Sequence, residues 1–151
     1  MRLLFLVLLP IAVVTFAIDR ASKWYVVEYL DLRSLGVLEA FPPYLNLIMA
    51  WNTGINFGIP LGGPVMLVIL SVVISAGLSY WVLGKGRASL AAGAGLVVGG
   101  ALGNAWDRLF YPEQAVADFI NNSCCGFHNP FSYNVADVAI FAGAIWVALR
   151  A

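Results

Sequence analysis

At 151 residues the chain is long enough for one domain, and its 62% hydrophobic content and 11% charge lie far from soluble norms, where charged residues make up roughly 25%. With a mean hydropathy of +0.88 it reads as an integral membrane protein. A formal charge of zero leaves no surplus of Lys and Arg to meet phosphates, which argues against a nucleic-acid partner.

Residues 3–18 are apolar apart from Thr15, with Arg2 in front and Asp19-Arg20 behind. A charged start, an apolar core and Ala17 near its end also fit a cleaved signal peptide. The run is long for such a core, however. It continues into Trp24, Tyr25, Val26 and Val27, aromatics and aliphatics suited to a membrane interface, so we read it as a retained first span. Asp19 and Lys23 stand four apart on one helix face and read as a local ion pair or an interface anchor.

Glu28 to Gly63 is the longest polar-containing region before the glycine-rich block. Leu45–Trp51 has strand-like composition, and Asn52-Thr53-Gly54 and Phe57-Gly58-Ile59-Pro60 are turn signals for a small hairpin or cradle. Such a sheet must sit outside the hydrocarbon or be covered by helices, because open edges are not tolerated in lipid.

Residues 65–83 have membrane-crossing length and close on Tyr80 and Trp81. Gly84-Lys85-Gly86-Arg87 reads as a tight basic turn. The third span, residues 88–106, carries Gly95, Gly99 and Gly103 at four-residue spacing, a groove that lets a neighbouring backbone approach closely. Phe110 to Tyr133 reads as a second loop, and residues 134–150 as the fourth span. The adjacent Cys124 and Cys125 exclude a disulfide framework, and a bridge between neighbours is expected to be strained. They read as small loop residues without a role.

Four spans put both termini on one side. Arg2, Lys85, Arg87 and Arg150 crowd the short segments there, whereas Arg20, Lys23, Arg33 and Arg108 are diluted over the long loops opposite. The termini are therefore expected in the cytoplasm and both loops on the outer side.

The chemistry concentrates in Gly99–Ile120, which delivers Asn104, Asp107, Arg108 and Asp118, and in Asp137 at the start of the last apolar run. Carboxylates beside spans need a reason, because burying a charge is costly. Two of them brought together share a proton, so that one acts as base on water and the other as acid toward a carbonyl and leaving amine. Asp118 and Asp137 are the candidate pair. Asp107 beside Arg108 reads as structural. His128 is the single histidine, so an H-E-x-x-H zinc site is impossible and no metal or cofactor is expected. A Ser-His-Asp triad would hang on that one loop histidine, which reads as an ordinary surface residue. From spacing alone, a proton-relaying transporter and a non-catalytic assembly protein held by the glycine face stand beside catalysis.

Five blocks then carry a resemblance: Asp19-x-x-x-Lys23; Asn52-Thr-Gly54-x-x-Phe57-Gly58; Gly99-Gly100-x-x-Gly103-Asn104-x-x-Asp107-Arg108; Val116-x-Asp118-Phe119-Ile120; and Asn134-x-Ala136-Asp137. In this order, on this frame, the chain resembles bacterial lipoprotein signal peptidase, the type II signal peptidase, over essentially its whole length. The resemblance implies a mainly α integral membrane protein of four transmembrane helices, with a small β-cradle and loop or helix elements on the periplasmic side of the inner membrane. It implies a metal-free aspartic endopeptidase that cuts diacylglyceryl-modified prolipoproteins just before the lipidated cysteine, with signal peptides and membrane lipid as partners. A monomer is expected. Asp118 and Asp137 are then the dyad, and Asn52, Gly54, Asn104, Asp107, Arg108, Asn134 and Ala136 the supporting shell, with Asp19 and Lys23 behind it. Asn56, Tyr133 and the segment Glu113–Ala115 depart from the family pattern, in places that bear on loop shape and substrate preference.

Overall fold

The computed structural model describes residues 2–54 and 63–151. The first helix, α1 (Leu9–Lys23), is prolonged by π-helical turns at Leu4–Leu8 and Trp24–Tyr29. A short α2 (Leu32–Leu35) leads to strands β1 (Val37–Phe41) and β2 (Leu45–Asn52), followed by helix α3 (Gly63–Lys85). Helix α4 (Ala88–Phe110), strand β3 (Val116–Asn121) and helix α5 (Val135–Arg150) complete the order. Two of the described helices, α3 and α4, are long and apolar enough to cross a membrane. By comparison α5 has 16 residues, about 24 Å of rise against roughly 30 Å of hydrocarbon.

Helix α4 is the centre of the bundle, and its glycines explain why. A Cβ on Gly95 would lie 2.8 Å from the Leu8 carbonyl oxygen, and one on Gly99 would lie 2.5 Å from that of Ala12. The predicted four-residue glycine face is thus pressed against α1. A second face, not foreseen, meets α5: a Cβ on Gly100 would sit 2.6 Å from the Ala136 oxygen, and one on Gly143 2.6 Å from the Gly93 oxygen. Close backbone approach maximises van der Waals contact where lipid offers no hydrophobic drive. By contrast α3 has only Ser75 and Val82 among its buried residues, as expected of a helix whose sides face lipid. Between α3 and α4, Gly86 takes φ +67 in the tight turn, a conformation that suits glycine.

The sheet is antiparallel in the order β1-β2-β3. The strand predicted at Leu45–Trp51 is present as β2, but the hairpin turn precedes it, at residues 42–44 between β1 and β2. Asn52-Thr53-Gly54 instead ends the strand, and the second turn signal, at 57–60, lies outside the described residues. The region 110–133, expected as loop, contains β3. Its residues Val116, Ala117, Asp118 and Phe119 are buried in succession, because Val26, Val27, Leu32, Ala117 and Phe119 form a core under the sheet. Tyr133 pairs with the far edge of β3, donating to the Ile120 oxygen at 3.0 Å and accepting from the Ile120 N–H at 2.8 Å.

The reading of Cys124 and Cys125 as unbridged residues is corrected: their sulfurs are joined in a disulfide. They sit in a tight turn in which Cys124 N–H donates to the Phe127 oxygen at 3.2 Å and Phe127 N–H to the Cys124 oxygen at 2.8 Å. Cys125 and Gly126 both take positive φ, +58 and +83. That left-handed pair lets the chain reverse with the two side chains together.

Candidate active site

Four elements converge at one end of the bundle. The register places Asp118 opposite Ala50 and Val116 opposite Asn52, so Asn52 is a diagonal neighbour of Asp118 on the pleat. Asn52 Nδ2 donates to Asp118 Oδ2 at 3.0 Å, and its Oδ1 accepts the Gly54 N–H at 2.8 Å. Gly54 adopts φ +78, and a Cβ there would lie 3.1 Å from Arg108 Nη2. A side chain would therefore be strained by conformation and by contact.

Asn134 is delivered by the pairing of Tyr133 with β3, and it caps α5. Its Oδ1 accepts the Asp137 N–H at 3.0 Å while Asp137 Oδ2 accepts the Asn134 N–H at 3.1 Å, a reciprocal box at the helix N-terminus. The same side chain donates through Nδ2 to Asp118 Oδ1 at 2.6 Å and to Asn104 Oδ1 at 3.2 Å. Asn104, from α4, donates through Nδ2 to Asp137 Oδ1 at 2.9 Å. Asn134 and Asn104 thus tie both aspartates into one hydrogen-bond network. Asp118 is 3% exposed, and Asp137 borders an open apolar groove with Tyr133, Val138, Phe141 and Ala142. Burial pushes the Asp118 carboxyl up to about 6 and the nearby Asp137 charge adds to this, while the Asn52 and Asn134 amides and Lys23 pull the other way.

Behind this lies a buried ionic cluster. The side chains of Asp19, Lys23 and Asp107 are 0% exposed, and Lys23 Nζ stands 3.0 Å from Asp19 Oδ2 and 2.7 Å from Asp107 Oδ2. Arg20 adds contacts to Asp107 and, at 3.3 Å, to Asp19. With two acids and two bases, the cluster is neutral overall. Asp19 Oδ1 also accepts the Ala136 N–H at 3.1 Å, and Asp107 Oδ2 the Ala117 N–H at 3.2 Å. The acids therefore orient the segments that carry Asp137 and Asp118. Lys23 Nζ also donates to Asn104 Oδ1 at 3.0 Å, joining the cluster to the network around the aspartates.

Two expectations change here. The partner of Asp107 is Lys23 with Arg20, not its neighbour Arg108, whose Nη1 donates to the Asn104 backbone oxygen at 3.3 Å. The Asp19–Lys23 pair exists, but as a buried strut rather than an interface anchor. Sequence reasoning missed Arg20; its place beside Asp19, one turn before Trp24, was the available signal. It also missed Asn121, whose Nδ2 donates at 2.9 Å to the oxygens of Asn129 and Phe131 and so holds the loop that returns Tyr133 to the sheet. His128 is exposed, and Asn56, Phe57 and Gly58 lie outside the described residues. Among the described residues, no group of three or more His, Cys, Asp or Glu is gathered as a metal cradle.

The family model for signal peptidase (SPase) II matches residues 11–151. The chain is 37% identical over 142 residues to the lipoprotein signal peptidase of Rhodopseudomonas palustris strain TIE-1, a match covering 89% of this chain and 84% of that protein. It is 38% identical over 136 residues to that of Anaplasma phagocytophilum, covering 87% and 83%. Its fold matches the structure of a bacterial membrane enzyme determined by the in meso method at 1.9 Å resolution, with a TM-score of 0.78 and 26% identity over 93% of this chain and 88% of the other. By the family model and by its relatives in sequence, the chain belongs to the signal peptidase II family.

Proposed function

We propose that the chain is an aspartic endopeptidase that removes signal peptides from diacylglyceryl-modified bacterial prolipoproteins, cutting immediately before the lipidated cysteine with water activated between Asp118 and Asp137. The observation that carries this reading is the joint tethering of Asp118 and Asp137 by Asn134 and Asn104. Asp137 accepts two N–H donors at the start of α5, where a helix end favours negative charge. It serves as the base that takes a proton from water. Asp118, nearly buried and with its carboxyl pushed up to about 6, holds the shared proton and donates it toward the scissile carbonyl. The water oxygen adds to the carbonyl carbon, and collapse of the resulting diol passes a proton to the leaving amine.

In the same reading the chain crosses the inner membrane four times as a monomer. Helices α1 and α5 cross with α3 and α4, the termini are cytoplasmic and the aspartates lie at the periplasmic face. Substrate arrives laterally along the apolar groove beside Asp137, so its lipid never leaves the bilayer. Purified protein in detergent should cut a diacylglyceryl-modified prolipoprotein peptide before the modified cysteine, with EDTA present. Asp118→Asn and Asp137→Asn should fold yet fail to cut. Folded wild-type protein that leaves the peptide intact, or an active Asp137→Asn variant, refutes the assignment.

A further inference from the structure

The seam between α1 and α4 holds two neighbouring cavities that the proposed chemistry does not use. One, of about 300 Å³, is lined by Arg20, Trp24, Glu28, Trp106, Phe110 and Tyr111. The other, of about 250 Å³, is apolar, with Leu9, Val13 and Phe16 on one wall and Val98 and Leu102 on the other. They follow one another along the same helix faces. Phe16 lies one turn before Arg20 and Leu102 one turn before Trp106, and the Phe16 and Trp106 rings meet edge-on with centroids 5.8 Å apart.

The first cavity carries both signs of charge. The Arg20 side chain lines this cavity and is 20% exposed, while its Nη2 is engaged by Asp19 and Asp107. A phosphate oxygen beside this guanidinium can accept a charge-assisted hydrogen bond. Glu28 is 48% exposed, and its contact to Arg33, 3.4 Å, is long. Trp24 and Phe110 are exposed at the rim, at 61% and 62%. Arg20 is already balanced within the ionic cluster, so the cavity offers a paired guanidinium beside an exposed acid rather than a surplus of positive charge.

We propose that this seam binds a single phospholipid with a phosphoethanolamine headgroup. The phosphate takes a hydrogen bond from the partly exposed Arg20 guanidinium, the ammonium lies between Glu28 and the Trp24 face, and one acyl chain fills the apolar furrow. A purely anionic headgroup would reach Arg20 but bring no cation of its own to the Glu28 carboxylate, which favours the zwitterion. From Arg20 back to Leu9 the helix rises about 16 Å, close to the roughly 15 Å depth of one leaflet's hydrocarbon. The inference rests on the helices crossing a membrane and is independent of the peptidase chemistry.

The test is native mass spectrometry of the full chain in detergent, without peptide substrate, titrated with equal amounts of phosphatidylethanolamine and phosphatidylglycerol. The phosphatidylethanolamine adduct should be retained by about five-fold or more over phosphatidylglycerol, the scale of one desolvated cation contact. Glu28→Gln and Trp24→Ala should each bring the two lipids level while leaving peptide cleavage unchanged. Soluble glycerophosphoethanolamine should leave the adduct in place, since it lacks the chain that fills the furrow. Equal retention of both lipids by wild type, unchanged preference in Glu28→Gln, or displacement by the soluble headgroup each overturns the proposal.

Discussion

Asn134 offers the most direct test of the site, because one amide side chain both caps α5 and holds Asp118. In Asn134→Ala the cap on the Asp137 N–H disappears, worth about 1 kcal/mol. The bond from Nδ2 to Asp118 Oδ1 at 2.6 Å goes as well, worth about 1.5–3 kcal/mol for a charged acceptor. That bond favours the ionised form of Asp118, so losing it must raise the carboxyl further above about 6. The proposed mechanism needs one shared proton, so kcat/KM should fall as pH rises through the upper titration of the pair. In Asn134→Ala that alkaline limb should move upward, kcat should drop and thermal stability in detergent should decrease. Asn134→Ser should regain the cap, and with it about 1 kcal/mol of stability, yet keep the shifted limb, because a serine hydroxyl is too short to reach Asp118. A limb that stays in place in Asn134→Ala, or moves down, refutes the coupling between cap and carboxyl.

Stability should show the same titration. A carboxyl raised from 3.8 to about 6 on folding contributes stability that is present below the unfolded value and lost as pH rises through the folded one, about 3 kcal/mol in all. Melting curves of wild type should therefore lose ground to Asp118→Asn between about pH 4 and 6; parallel curves would show that Asp118 is not buried as an acid. Lys23→Met leaves Asp19 and Asp107 with Arg20 alone and should cost about 3–5 kcal/mol, the penalty of a broken buried pair; normal thermal stability would refute the buried cluster. Cys124→Ser and Cys125→Ser should each cost about 1 kcal/mol or less, since the bridge closes a loop of minimal length. Thermal melts of the two variants beside wild type check this, and a markedly larger loss would contradict it.

How far the sequence disclosed this arrangement depends on the range of each interaction. The glycine spacing on α4 announced one close helix contact, and hydropathy announced α3 and α4, because both signals are periodic and local. The motif blocks pointed to Asn52, Asn104, Asp118, Asn134 and Asp137, which the structure links in one hydrogen-bond network. What stayed hidden was pairing over long chain separations. Asp107 has an arginine next to it and still turns to Arg20 and Lys23, because α1 crosses α4 at the glycine face and brings those cations to its side. Strand β3 was read as loop because its pattern is buried on both faces, so it lacks the alternation that marks a half-exposed strand. The disulfide was misjudged for a related reason: only the left-handed turn at Cys125-Gly126 makes it accessible, and backbone handedness at a cysteine leaves no mark in composition.

Asn104 shows how the ionic cluster and the proposed dyad depend on each other. Its Oδ1 accepts from Lys23 Nζ and from Asn134 Nδ2, so its amide cannot be flipped without setting donors against donors. The cation thereby fixes which end of the amide faces Asp137, and that end is the donor. Asn104→Asp tests this directly. The substituted side chain keeps an acceptor for Lys23 and strengthens that bond, so the fold should hold within about 1 kcal/mol of wild type. Toward Asp137, however, it replaces a donor with a second carboxylate oxygen, and like charges at that distance cannot both ionise cheaply. Cleavage should fall by at least about a hundred-fold, the usual worth of a positioned acid–base partner, and should partly recover at lower pH, where the added carboxylate is protonated and can donate again. Full activity at pH 7, or a loss that no lower pH relieves in a well-folded variant, would mean that the Asn104 amide does not set the state of Asp137.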